Sequence, residues 1–99
     1  MISSLSKSIK QFASQLKSLE AGAVGQITII WVDSDKEDYE LDDVLSIDHE
    51  YNAKDGSIII KGKRRSPSNK EGAYLITTKL KYIYSITFTV DIIKEEYPL

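Results

Sequence analysis

The hydrophobic period of this chain changes once, near Gly25, and that change constrains the fold more than any other feature. Before it, Ile2, Leu5, Ile9, Phe12, Leu16 and Leu19 recur at alternating steps of three and four residues. At a helical pitch these six, with Ala13, fall within an arc of about 120°. Lys7, Lys10 and Lys17 sit on the other side. The spacing predicts one amphipathic helix over about residues 3–20. Ser3 or Ser4 would cap its start, and Gly22 and Gly25 would end it.

After Gly25 the period is two. Gln26 to Val32 reads as a strand with Ile27, Ile29 and Trp31 on one face. The polar run Asp33 to Asp38 is a turn, and Tyr39 to Leu41 resumes the sheet. Asp42-Asp43 breaks the alternation and predicts a bulge or bend. Val44 to Tyr51 alternates again, with Leu45, Ile47, His49 and Tyr51 together. Asp55-Gly56 is a strong hairpin signal. A two-residue turn there sets Tyr51 opposite Ile60, Ile47 opposite Arg64, Glu50 opposite Lys61 and Asp48 opposite Lys63. From Tyr74 to Ile92 every even position is apolar or threonine. A flat strand of that length would span about 60 Å, so the run is one curved strand or two strands joined near Lys79 to Lys81.

A helix with one apolar stripe and strands with one apolar face satisfy each other. The expected fold class is therefore α+β, in one domain over residues 1–99. Its N-terminal amphipathic helix packs on one face of a four- to five-stranded antiparallel meander sheet, over about residues 26–94. No apolar run approaches the roughly 20 residues that span a bilayer, and the N-terminus has no secretory pattern.

Composition removes several kinds of chemistry. The chain has no cysteine and one histidine, which leaves no thiol nucleophile, no cysteine-ligated metal and no multi-histidine site. His49 reads as a half-buried side chain, and Asp48 points to the other face, so the two do not form a dyad. Asp33 to Asp38 superficially looks like a calcium loop, but Asp38 and Val44 stand where glycine and glutamate are wanted. No glycine-rich phosphate loop exists. No cofactor, no metal and no enzymatic activity are expected.

Net charge is −2, yet it hides two blocks. Residues 33–50 hold nine acids and one base, whereas residues 61–81 hold seven bases and one acid. Lys61, Lys63, Arg64 and Arg65, with Lys79 and Lys81, are the candidate nucleic-acid-binding residues, able to neutralise phosphates. The competing reading pairs Lys61 and Lys63 with acids across the hairpin. Tyr74, Tyr82 and Tyr84 form a stripe that is either core lining or, if the last part of the run lies at a sheet edge, a surface suited to dimerisation.

Isoleucine, lysine and tyrosine are abundant, while asparagine occurs only at Asn52 and Asn69 and methionine once. This usage resembles that of proteins of hyperthermophilic acidophilic archaea and suggests thermostability. With the short length and the lack of any enzyme motif, the whole chain looks like the small orphan proteins of their filamentous viruses, the lipothrixvirus kind. The resemblance is one of composition, rests on no motif and transfers no site residue. It implies an accessory viral protein in the host-cell cytoplasm, with a place in the virion left open. The expected function is a non-enzymatic interaction protein that binds a protein partner or itself. Nucleic-acid binding through the basic residues is the alternative.

Overall fold

The computed structural model describes residues 2–18, 23–65 and 71–92. Helix α1 (Ile2–Ser18) is followed by strands β1 (Ala23–Trp31), β2 (Tyr39–Val44), β3 (Asp48–Asn52), β4 (Ser57–Arg65), β5 (Glu71–Lys79) and β6 (Ile83–Ile92). A single 3₁₀ turn, Leu80–Tyr82, joins β5 to β6. No described helix is long and apolar enough to cross a membrane.

The helix matches its apolar stripe. Ile9, Phe12 and Leu16 are buried, Ile2, Leu5 and Ala13 pack against the core, and Lys7, Lys10 and Lys17 are exposed. Ser3 and Ser4 lie inside the first turn rather than before it. Gly25 belongs to β1, not to the helix end, and the Phe12 ring packs directly over it. Leu19 and Gly22 lie outside the described residues.

All strand pairings are antiparallel, as expected, but the sheet has six strands and is not a simple meander. Two alternating runs each break into two strands. The Val44–Tyr51 run is interrupted at Leu45–Ile47, between β2 and β3. The Tyr74–Ile92 run is interrupted at the 3₁₀ turn. The last strand then returns to lie beside the first, so the order is β6–β1–β2, with β2 continuing into β3 beside β4 and β5 beyond.

These two corners fold one curled sheet into two halves. Strands that switch halves by a bend are the usual way to turn such corners. Ile27, Ile29, Leu41 and Val44 from one half meet Ile58, Ile60, Tyr74 and Ile76 from the other, and α1 adds Ile9, Phe12 and Leu16 to the same core. Burying each such aliphatic or aromatic side chain stabilises the fold by about 1.5–3 kcal/mol.

The bulge expected at Asp42-Asp43 is present. Pairing passes from Gly25 opposite Val44 to Ile27 opposite Leu41, so β2 carries one extra residue. Asp43 takes up the bend with φ of 59°, a conformation that aspartate tolerates better than bulky residues.

The hairpin register is displaced by two residues from the expected one. Asn52 lies opposite Ser57, Tyr51 opposite Ile58, His49 opposite Ile60 and Asp48 opposite Lys61. The loop is wider than two residues because side chains at both ends satisfy its backbone. Asn52 Oδ1 accepts from the Lys54 amide at 3.0 Å, and Asp55 Oδ1 accepts from the Ser57 amide at 2.9 Å. The Gly56 amide donates to the Asn52 carbonyl at 2.8 Å, with Gly56 at φ of 73°. A shift of two keeps every side chain on its face, so the apolar pattern does not oppose it.

Candidate functional site

Two surfaces carry the residues singled out by sequence. The first is the outer face of β3, β4 and β5. Lys61, Lys63 and Arg65 alternate along β4 and share this face, and Lys79, opposite Ser57, joins them. Arg64 has the opposite parity and belongs to the other face, opposite Val44 and Gly72. Lys81 is on the 3₁₀ turn, with its ammonium 5.3 Å from the Tyr82 ring centre. The six cations therefore do not converge.

Acids lie among those that share a face. Lys61 Nζ donates to Glu50 Oε1 at 2.9 Å. The Glu50 hydrogen bond and charge, with Asp48 further off, raise the Lys61 pKa above 10.5. Lys61 and Lys63 also line an open groove of about 840 Å³ with Ala13 and Lys17 of α1, Ser46, Ile47, Asp48, Tyr74 and Leu75. Lys17 was not among the sequence candidates, since its place on the polar side of a helix marks it only as solvated.

The corner beside this groove is tightly tied. Leu45 and Ser46 amides both donate to the Lys63 carbonyl, at 2.9 and 3.2 Å. Ser46 Oγ accepts from the Lys63 amide at 3.0 Å, and the Tyr74 hydroxyl donates to the Ser46 carbonyl at 2.7 Å. Gly62 is where the two backbone segments touch: a Cβ there would stand 2.0 Å from the Ser46 carbonyl oxygen. Burial, with Tyr39 nearby as a lesser cause, pushes the Tyr74 phenol far above its ordinary value.

The second surface is the start of β6. Expected as one stripe, the tyrosines divide. Tyr74 is core, whereas Tyr82 is 51% and Tyr84 76% exposed. A bulge explains Tyr84: Ile30 lies opposite Ser85, but Trp31 lies opposite Ile83. The extra residue turns Ile83 toward the core and leaves Tyr84 outside, which alternation alone did not indicate. Ile30 and Val32 are exposed nearby, and the Val32 amide donates to the Tyr82 carbonyl at 2.9 Å. A smaller groove of about 250 Å³ runs between Ser4, Leu5 and Ser8 of α1 and Ile83–Ile86 of β6.

No protein-family model, curated protein or solved structure matches this chain.

The remaining candidates have local partners. His49 Nε2 is 3.0 Å from Ser6 Oγ and ties β3 to α1. Asp48 Oδ1 accepts from the His49 amide at 2.8 Å rather than from its ring. The Asp33–Asp38 turn is exposed, with Asp33 Oδ1 accepting from the Asp35 amide at 3.0 Å. The Lys36 ammonium leaves this turn to sit 4.0 Å from the Trp31 ring centre. Among the described residues, no three histidine or carboxylate side chains are grouped so as to hold a metal ion.

Proposed function

We propose that this chain is a non-enzymatic interaction protein that self-associates through the β6 end of its sheet. The observation that carries this reading is the long edge strand itself. β6 has ten residues and pairs only with β1 among the described residues. Exposed Tyr84 and Tyr82 stand at its start. An edge strand presents unpaired backbone donors and acceptors, and tyrosine is enriched at protein interfaces. The setting proposed is the host-cell cytoplasm, as a viral accessory factor of the kind the composition resembles.

The test is molar mass by light scattering over a hundred-fold concentration range. The native chain is expected to move from monomer to dimer. Thr87→Lys/Thr89→Lys adds charge to two exposed outer-face positions of β6 and is expected to stay monomeric while keeping its circular dichroism. A native chain that remains monomeric at the highest concentration would refute self-association.

The second reading is nucleic-acid binding, favoured by one observation: Lys17, Lys61 and Lys63 line a common groove. It predicts anisotropy changes with labelled oligonucleotides that weaken steeply with salt. The adjacent Glu50 and Asp48 oppose phosphate there, which ranks this reading second.

A further inference from the structure

We infer that the partner on β6 is the β6 of a second copy, paired antiparallel about a twofold axis at Phe88 to give one continuous sheet. The inference rests on the self-association reading above and names its geometry.

Three strands have an edge without a strand neighbour among the described residues: β3, β5 and β6. Natural edges are blunted by shortness, charge, proline or a covering segment. β3 has five residues and carries Asp48 and Glu50. β5 carries Lys79 and has the charged Lys36–Asp38 turn alongside Leu75–Thr77. β6 reads Ile-Tyr-Ser-Ile-Thr-Phe-Thr-Val-Asp-Ile, with no lysine, arginine, proline or glycine. Its one charge, Asp91, is near the end. It is the edge least defended against pairing.

The strand also fits itself. Side chains continue onto the same faces only if residues directly opposite share parity, so the axis must pass through a residue. Tyr84 is the bulge, and regular pairing with β1 begins at Ser85. An axis at Phe88 therefore pairs the whole stretch Ser85–Asp91. An axis at Thr87 would draw the bulged Tyr84 into the ladder, and an axis at Thr89 would leave Ser85 without a partner inside β6. With Phe88 at the centre, Thr87 faces the partner's Thr89, and Ile86 faces the partner's Val90. Ser85 faces the partner's Asp91, so the lone carboxylate meets a hydroxyl and no like charges are opposed. Phe88, which stacks on Phe12 with ring centres 5.0 Å apart, would meet its symmetry mate on the core face.

The chain has no cysteine, so single cysteines report this register cleanly. Thr87→Cys and Thr89→Cys, one of them ¹⁵N-labelled, would be mixed under mild oxidation and the disulfides resolved by mass. Opposed residues in an antiparallel pair have Cα atoms about 4.5–5.5 Å apart, within disulfide range. The mixed disulfide is expected at least ten-fold above either homodisulfide, and Leu75→Cys on β5 is expected to cross-link no faster than a free thiol. Predominant Thr87→Cys or Thr89→Cys homodisulfide, or equal cross-linking from β5, would overturn the pairing. A native dimer without the mixed disulfide would overturn it too, while leaving self-association intact. A monomeric native chain would remove both.

Discussion

Tyr74 shows how one side chain serves two requirements. Its ring fills the core, and its hydroxyl satisfies a carbonyl that the β2–β3 corner would otherwise leave unpaired. Tyr74→Phe keeps the ring and orphans the Ser46 carbonyl, which costs about 1–3 kcal/mol. The folded chain also holds the phenol proton more tightly than the unfolded chain, where it leaves near pH 10. Stability from this group is therefore complete below pH 10 and declines as pH rises beyond it. Urea unfolding at pH 7 and pH 11 should show the native chain losing more stability between the two than Tyr74→Phe does. Equal losses would mean that other groups govern the alkaline limb. Lys61, held above its usual value by Glu50, loses its contribution in the same direction once pH passes 10.5. Sequence placed Tyr74 on the right face through its parity with Ile76. It carried no sign of the Ser46 contact, because that depends on a close approach of backbone at Gly62.

At the scale of elements, α1 is seated on the core by Ile9, Phe12 and Leu16. Phe12 is 2% exposed, stacks on Phe88 and rests on Gly25. Phe12→Ala should cost about 3–5 kcal/mol, read as a lower urea midpoint, with β-sheet circular dichroism retained below the transition. A loss under 1 kcal/mol would mean the helix is not seated as described. The helix and the strand faces were legible because burial imposes a period, and period survives in sequence. Strand offsets and strand ends were less legible. The hairpin slipped by two because Asn52 and Asp55 stabilise a wider loop, and a two-residue slip leaves every face unchanged. The breaks at Leu45–Ile47 and Leu80–Tyr82 contain no glycine or proline. They arise from the need to close a sheet around one core, which no local signal records.

At the scale of the whole molecule, the two charge blocks meet at one hairpin. The β3–β4 hairpin brings the end of the acidic block onto the start of the basic block, and Lys61 meets Glu50 there. Lys63 and Arg65 follow on the same face, while Arg64 and Lys81 are turned elsewhere. The basic residues were thus legible as a run in sequence but not as a site, since strand parity and the 3₁₀ turn disperse them. Of the three edges without a strand neighbour among the described residues, β6 carries the least charge. Hydrogen exchange of individual amides, followed at low and high protein concentration, tests that surface most directly. Concentration should slow exchange at alternate amides between Ser85 and Asp91 and leave the β3 and β5 edges unchanged. Slowing at β3 or β5, with β6 unaffected, would contradict the account.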